Sequence, residues 1–208
     1  MADAAASPSE RTPAIYVSGL PGIGKTTAVA HLVEARPDEY LRLSFGEALR
    51  EIIDPDGSLE TFRGRATRSV NRFVIEKATK RLVHRIRAEP TRVVLIDSHA
   101  VTPASEGLRA TPDTAERVAA FGYSLIIHLS AFGVEERILR SSGSEGRRAL
   151  TASEVRTAET MQLSIVARYA SLCDCPLYVL SAVGEVEEVT DRLERAIDAG
   201  LGWATPRT

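Results

Sequence analysis

Cysteine, tryptophan and lysine are scarce in this sequence, and it has no long apolar run. The two cysteines, Cys173 and Cys175, are separated by one residue, which excludes a disulfide framework or a four-ligand zinc site. This usage suits a reducing compartment, so we expect a cytoplasmic protein. No stretch approaches the roughly 18 apolar residues of a membrane span, and residues 1–12 lack the basic and apolar regions of an export signal. We therefore expect no membrane association.

Neither sign of charge dominates, since the formal net charge is −2 and the sequence pI is about 6.1. This balance predicts no general attraction to polyanions, and nucleic acid is not expected as a partner. The basic residues are almost all arginine, because only Lys25, Lys77 and Lys80 are lysines. A chain of 208 residues that is 44% hydrophobic predicts a single globular domain of ordinary composition.

Short apolar runs alternate with amphipathic stretches. The apolar runs predict five strands, over residues 15–17, 40–44, 92–97, 122–130 and 176–181. Helical periodicity is found over residues 26–35, 47–53, 59–88, 134–141, 151–172 and 185–199. This alternation predicts an α/β fold, in which a five-stranded parallel sheet has helices on both faces. A ligand is expected at the carboxyl edge of such a sheet. The residues that fall at this edge are Gly19, Ser44, Asp97 and Ser130.

Several boundaries follow from composition and periodicity. Residues 1–12 are predicted to be a disordered leader, residues 13–200 a single domain, and residues 201–208 a tail. Residues 98–112 contain Pro and Gly and predict a loop. The long helix is expected to break between about Val70 and Lys77, because its apolar stripe shifts there. The first stripe consists of Phe62, Ala66, Val70 and Phe73, and the second consists of Val74, Ala78, Leu82 and Ile86.

The segment from Ala14 to Thr27 reads AIYVSGLPGIGKTT and predicts a phosphate-binding loop between a strand and a helix. Glycines let the backbone N–H groups surround an anion, and the following helix directs its positive end at the same phosphates. Lys25 is expected to reach the outer phosphates, and the Thr26 hydroxyl to bind Mg²⁺. The residues predicted to bind the nucleotide are Gly19, Pro21, Gly22, Ile23, Gly24, Lys25, Thr26 and Thr27.

Asp97 ends the most strongly apolar strand, and a carboxylate in that position needs a partner. In phosphate-loop kinases and nucleotide hydrolases this place holds Mg²⁺, directly or through water. The alternative is a carboxylate that caps a nearby loop. We expect Thr26 and Asp97 to form a magnesium site.

Three segments together resemble the adenylate kinases of the archaeal type, a branch of the nucleoside monophosphate kinases. Residues 19–27 are similar to the family's phosphate-binding loop, including Pro21 before the second glycine. Residues 96–101 resemble the family's Asp-Thr-His segment, with Ser98 in place of Thr, and residues 167–170 match its long helix. The resemblance spans roughly residues 13–199. It implies a three-layer P-loop kinase fold with acceptor-binding helices at about 45–88 and a lid at about 141–150.

The resemblance also implies two nucleotide sites and a role for each. ATP and Mg²⁺ would lie on the loop, and a nucleoside monophosphate would lie beside the second strand. The implied acceptor residues are Ser44, Gly46, Arg50 and His99. Arginines on both sides of the lid would stabilise the transferring phosphoryl group, and these are Arg137, Arg140, Arg147 and Arg148. Members of the family often form trimers, so a homo-oligomer is possible.

The resemblance is looser in the loop around residues 103–112, which helps to define the acceptor pocket, and this leaves three functions open. The first is an ATP- and Mg²⁺-dependent kinase for AMP or a related monophosphate. The second is a kinase for a hydroxyl group of a small metabolite or specialised nucleoside, which requires a base such as Asp97 or Glu47. The third is a nucleotide-gated ATPase that binds RNA or protein. Its contact would be a basic face formed by Arg65, Arg68 and Arg72, which is otherwise a solvated surface or a substrate contact.

Overall fold

The computed structural model describes residues 12–56, 70–89, 92–111, 113–142 and 148–204. Its strands are β1 (Ala14–Ser18), β2 (Tyr40–Ser44), β3 (Val93–Asp97), β4 (Val101–Ala104), β5 (Gly107–Ala110), β6 (Tyr123–Ser130) and β7 (Leu177–Ser181). Its helices are α1 (Lys25–Ala35), α2 (Phe45–Ile53), α3 (Arg72–Ala88), α4 (Ala115–Phe121), α5 (Glu135–Ser141), α6 (Ala152–Cys173) and α7 (Val186–Ala204).

Five parallel strands form the main sheet in the order β2-β3-β1-β6-β7. Strand β1 is central and buried along its whole length, as a continuous apolar run requires. The register pairs Asp97 with Val17 on one side and with Ser44 on the other. The carboxyl ends of β1, β2 and β3 therefore lie side by side, and the predicted α/β architecture is confirmed.

Helices cover both faces of this sheet because successive strand residues point to opposite sides. One face carries Tyr16 and Ile96, which pack against α2, α3, α4 and α6. The other face carries Val17 and Leu95, which pack against α1 and α7. A third cluster surrounds Ile23 and lies at the carboxyl end of the strands, beneath the phosphate-binding loop. The apolar side chains of the loop are thus anchored in the core.

Substitutions of two leucines test which side chains the core buries. In the helix predicted over residues 151–172, the apolar side consists of Val155, Ala158, Ile165, Tyr169 and Leu172. Leu172 is nevertheless 37% exposed, whereas Leu125 of β6 is 0% exposed. We expect Leu125→Ala to lower the free energy of unfolding by about 2–5 kcal/mol, because it leaves a cavity. Leu172→Ala should lower it by less than about 1 kcal/mol. Urea denaturation measures both, and equal losses would contradict this placement.

Two short elements differ from the predicted loop at residues 98–112 and the segment after it. Strands β4 and β5 form an antiparallel hairpin, in which Val101 pairs with Ala110 and Pro103 with Leu108. Proline is tolerated because a two-stranded hairpin leaves its backbone nitrogen without a required partner. Helix α4 follows, and Thr114 caps it by accepting a hydrogen bond from the Arg117 N–H. The predicted loop is therefore wrong over residues 101–104 and 107–110.

The ends of two helices also differ from prediction. Helix α3 begins at Arg72, where Asn71 caps it, but Phe73 is 81% exposed rather than part of an apolar stripe. The other members of that stripe include Phe62 and Ala66, which lie outside the described residues. Helix α7 continues beyond Gly200 to Ala204, and a Cβ atom at Gly200 would collide with the Leu125 side chain. The predicted leader and part of the lid, residues 1–11 and 143–147, also lie outside the described residues.

In the described part of the chain, no helix combines the length and the apolar character that crossing a bilayer requires.

Candidate active site

The phosphate-binding loop joins β1 to α1, as the sequence predicts. Helix α1 starts directly after Gly24, which has a left-handed φ of 97°, and no side chain caps the helix start. Gly22 also has a left-handed φ, of 86°, and a Cβ atom there would collide with the Ser141 side chain. Glycine is therefore required at both positions. The N-terminal end of α1 faces the loop and is suited to binding an anion.

Lys25 and Asp97 form a buried ion pair at the centre of the site. Their side chains are 7% and 4% exposed, and the Lys25 ammonium group donates to Oδ1 of Asp97. The Thr26 hydroxyl donates to Oδ2 of Asp97 over 2.7 Å. Burial raises the pKa of Asp97, but the charge and hydrogen bond of Lys25, the Thr26 hydroxyl and the charge of Arg42 outweigh it and hold the pKa below its usual value. Asp97 is therefore ionised at neutral pH.

The ionised state of Asp97 predicts a pH-dependent contribution to stability. At pH 7, Asp97→Asn should lower the free energy of unfolding by about 3–5 kcal/mol, because it leaves Lys25 buried without its counter-charge. The pKa in the folded state is depressed, so this contribution is present above the unfolded-state pKa of about 3.9 and disappears as the pH falls through the folded-state pKa. The wild-type and Asp97→Asn proteins should therefore converge in stability at acid pH. Urea denaturation between neutral and acid pH tests this, and a constant difference would contradict it.

Arg42 extends the site toward the second strand. Its Nη2 atom donates to Oε1 of Glu47 over 3.0 Å and to Oδ2 of Asp97 over 3.4 Å. Its Nε atom is buried and has no hydrogen-bond partner in the described residues. The guanidinium group thus joins the two carboxylates at the edge of the sheet. Sequence reasoning missed Arg42, although an arginine within the short strand YLRLS, two residues from its carboxyl end, is a usable signal.

The predicted acceptor residues lie on two segments, one at the end of β2 and in α2, the other directly after β3. The Ser44 hydroxyl caps α2 by accepting the Glu47 N–H, so Ser44 fixes the start of the helix that carries Glu47 and Arg50. Gly46 lies in the first turn of that helix. Arg50 donates to the carbonyl of Pro55 over 3.1 Å. His99 is partly buried and follows β3 directly after Ser98. Ser44 and His99 therefore lie beside the ends of β2 and β3 near Asp97, whereas the Arg50 side chain contacts the segment after α2.

The predicted lid arginines occupy different environments. Arg137 lies against the phosphate-binding loop, where it donates to the carbonyls of Ile23, Ala182 and Gly184 at 3.4 Å. Arg140 is exposed and lies 3.8 Å from Glu136. Both line an open cleft beside Gly133.

Arg148 is placed differently from Arg137. It donates to the carbonyl of Ala104 over 2.8 Å and to Oε1 of Glu154 over 2.7 Å, so it connects the β4–β5 hairpin to the start of α6. Thr151 and Glu154 form a capping box at the start of that helix, as their spacing of three residues predicts. Arg147 lies outside the described residues. Only Arg137, of these four, contacts the loop in the described structure.

A buried polar network lies beneath the loop, and the sequence analysis did not identify it. The Gln162 side chain donates to the Ser18 hydroxyl over 2.6 Å and accepts the N–H groups of Ala100 and Val101. His128 contacts the same hydroxyl and also Glu159, over 3.3 and 3.0 Å. The network connects the ends of β1 and β6, and the segment after β3, to α6. Its signal in the sequence is a glutamate and a glutamine three residues apart on the apolar face of α6.

Thr26 and Asp97 fit a magnesium ion. They supply a hydroxyl and a carboxylate, and Mg²⁺ prefers oxygen ligands of this kind together with water and phosphate oxygens. The described residues contain no cluster of three or more His, Cys, Asp or Glu side chains that would hold a metal ion by themselves. A metal at this site would therefore need oxygens from a nucleotide and from water, as is usual for Mg²⁺ in phosphoryl transfer.

Comparison with solved structures identifies the fold. A shikimate kinase from Acinetobacter baumannii in complex with shikimate aligns with a TM-score of 0.56 at 15% identity, over 91% of this chain and 95% of that one. A shikimate kinase from Aquifex aeolicus aligns with a TM-score of 0.56 at 13% identity, over 89% of this chain and 96% of that one. No curated protein matches the sequence significantly.

The sequence profile described as an AAA domain matches residues 18–156, which include the phosphate-binding loop, Asp97 and most of the sheet. This match covers more than half of the 208 residues. The arrangement of the five parallel strands and the surrounding helices is that of the P-loop kinases in the structural comparison. The protein belongs to the AAA domain family and has a P-loop kinase fold.

Proposed function

We propose that this protein is a kinase that transfers the γ-phosphate of ATP to a hydroxyl group of a small metabolite. The observation that carries the proposal is the Glu47–Arg42–Asp97 arrangement beside Lys25. Through Arg42, a second carboxylate is linked to the Asp97–Lys25 pair, and this carboxylate would serve the acceptor. A hydroxyl acceptor needs such a base, whereas a phosphate acceptor is already ionised.

The donor half of the reaction rests on the loop. The N–H groups at the start of α1 and the Lys25 ammonium group would hold the ATP phosphates, while Thr26 and Asp97 would hold Mg²⁺. When bound, Mg²⁺ neutralises charge on the phosphates. Arg137 contacts the loop carbonyl of Ile23, so it is near enough to the nucleotide to offset charge that develops during transfer.

The acceptor half rests on Glu47 and Arg42. Both oxygens of Asp97 are engaged by Lys25, Thr26 and Arg42, which leaves Glu47 as the better base. The Glu47 side chain is 43% exposed, so a substrate hydroxyl can reach it. Glu47 would take the hydroxyl proton as that oxygen bonds to the γ-phosphorus and ADP leaves. The Arg42 side chain is 23% exposed, so its guanidinium group would offer N–H donors to a polar or anionic group of the acceptor.

A nucleoside monophosphate kinase is the second candidate. It is favoured by the resemblance of residues 19–27 and 96–101 to archaeal-type adenylate kinases and by the position of Arg50 one turn into α2. In this function Arg50, with Ser44 and His99, would hold the acceptor phosphate, and Glu47 would have no chemical role. The shikimate kinases with the same fold act on a metabolite rather than a nucleotide, and for this reason we place the hydroxyl acceptor first.

An acceptor panel distinguishes the two functions. We expect ADP formation from ATP and Mg²⁺ to be stimulated by a hydroxylated acceptor, and a suitable panel contains shikimate, other small hydroxy acids, sugars and nucleosides. The same assay is run with AMP, GMP, CMP, UMP and dAMP. Strong stimulation by one monophosphate and by none of the hydroxyl compounds would overturn the proposal in favour of the second candidate.

A further inference from the structure

The outward face of α3 carries an unusual line of side chains. Phe73, Lys77, Lys80, His84 and Arg87 are separated by four, three, four and three residues, and all five are exposed. Side chains with this spacing lie above one another on one side of a helix. We call this line the basic stripe. From Phe73 to Arg87 it extends about 21 Å, at about 1.5 Å per residue.

The basic stripe concentrates positive charge on a chain that is acidic as a whole. Helix α3 contains six arginines and lysines and a single acidic residue, Glu76, whereas the net charge of the chain is −2. Two of the three lysines of the chain, Lys77 and Lys80, lie on the stripe. The basic stripe is therefore a local surface that attracts anions, although the net charge of the chain is negative.

Internal ion pairs neutralise little of this charge. Lys80 pairs with Glu76 over 2.8 Å, and both groups are well exposed, so the pair is weak. Arg81, beside the stripe, pairs with Glu51 over 3.2 Å. Within the described residues, Lys77 and Arg87 form no ion pair. Among the described residues, two of the three full positive charges on the stripe, those of Lys77 and Arg87, thus have no ion-pair partner.

The geometry of α3 does not suit insertion into a membrane. A helix that binds a membrane surface inserts its apolar face among the lipids. The apolar face of α3 consists of Ile75, Ala78, Leu82, Val83 and Ile86, and these side chains are at most 9% exposed because they pack in the core. The exposed face of α3, which carries the basic stripe, therefore remains available for contact.

We propose that the basic stripe binds single-stranded nucleic acid. Lys77 and Lys80 are about 4.5 Å apart along the helix axis, and Arg87 lies about 10.5 Å beyond Lys80, so one strand can contact the three cations in turn. Phe73 stands at the end of the same line, is 81% exposed, and is held in the first turn by the hydrogen bond from its N–H to Asn71. An exposed ring beside a row of cations is the combination that stacks an unpaired base while the backbone is neutralised.

Fluorescence anisotropy with a short labelled oligouridylate tests the proposal. Contact with three phosphates predicts that the affinity falls about 20-fold between 50 and 200 mM salt. The combined substitution Lys77→Glu, Lys80→Glu and Arg87→Glu should reduce the affinity at 50 mM salt by at least about tenfold. Phe73→Ala should reduce it by about fivefold or more and leave the salt dependence unchanged.

A matched control carries the same change of charge on other helices. Arg156, Arg168 and Arg195 are exposed residues of α6 and α7, and their combined substitution by glutamate should leave most of the binding intact. An equal loss in this control, or no binding by the wild type at 50 mM salt, would overturn the proposal. If the glutamate variant of the stripe does not fold, the corresponding glutamine variant should still show the loss.

The same assay with labelled polyglutamate separates nucleic acid from an acidic protein. We expect polyglutamate to bind more weakly than the oligonucleotide and to be insensitive to Phe73→Ala, because it has no bases to stack. Equal binding of both probes, with no effect of Phe73→Ala on either, would identify the surface as a site for acidic peptides and overturn the proposal.

Discussion

Lys25→Ala should reduce kcat by at least about 10²- to 10³-fold, the loss that follows when one preorganised group that stabilises the transferring charge is removed. Lys25 is the only lysine at the carboxyl edge of the sheet among the described residues, and its ammonium group lies against Asp97. When ATP is bound, this charge would be shared with the outer phosphates. Steady-state ADP formation, with saturating ATP and acceptor, measures the effect.

The chain offers a matched control for this substitution. Lys80 is also a lysine in a helix, but it is exposed and pairs only with Glu76. Lys80→Ala should leave kcat within about twofold of the wild type, since substitutions of exposed residues away from the core and the active site have small effects. Near-equal turnover by the Lys25→Ala and wild-type proteins would contradict the assignment of the loop. A thermal melt of both variants confirms that each is folded during the assay.

Glu47→Gln should have the second large effect, a fall in kcat of about 10²- to 10⁴-fold with a hydroxyl acceptor. Glutamine keeps the shape of the side chain and can still accept the hydrogen bond from Arg42, but it cannot take a proton. The cap of α2 is unaffected because it uses the backbone N–H of Glu47. The loss should therefore appear in kcat and leave the KM for ATP nearly unchanged, which steady-state kinetics can resolve.

Two further variants on α2 decide how this result is interpreted. Glu51→Gln changes a carboxylate one turn later, which pairs with Arg81, and should have little effect on turnover. Arg50→Ala should also have a small effect if the acceptor is a hydroxyl compound, because Arg50 then has no phosphate to bind. If instead Arg50→Ala abolishes turnover while Glu47→Gln does not change it, the acceptor is a monophosphate and the second candidate function is correct.

Much of the fold is predictable from the sequence because its signals are local. The strand Tyr40–Ser44 agrees with prediction at both ends, and the capping box at Thr151 marks the start of α6. The loop between β1 and α1 is also predictable, since its glycine spacing reflects backbone geometry that few sequences share. These features depend on residues close together in the chain, so periodicity and motif spacing are sufficient to identify them.

The elements that escaped prediction depend on contacts distant in sequence. The β4–β5 hairpin contains Pro103 and lacks the Asn-Gly or Asp-Gly turn that marks most short hairpins. It is held in part by Arg148, which lies more than 40 residues further along the chain. The apolar periodicity predicts a helix end just before Gly200, but α7 continues to Ala204, and Gly200 packs against Leu125 of β6 where a Cβ atom would not fit.

In the candidate active site, too, residues marked by local sequence are predictable and residues that depend on distant contacts are not. Lys25, Thr26 and Asp97 are predictable because a motif and a strand end mark them, and the structure brings all three together. Arg42 and Gln162 are missed because each acts through partners on other elements, Asp97 in one case and Ser18 in the other. Arg148 is placed by its partner Glu154 at the β4–β5 hairpin, so its predicted catalytic role remains a prediction.

The most direct test of the central claim is to follow the γ-phosphate itself. The protein is incubated with Mg²⁺, γ-³²P-labelled ATP and a deproteinised metabolite extract, and the labelled products are separated by chromatography. Phosphoryl transfer to a small hydroxyl compound predicts one labelled organic product that the Lys25→Ala protein does not form. Label found only in inorganic phosphate, or only in a nucleoside diphosphate, would contradict that claim.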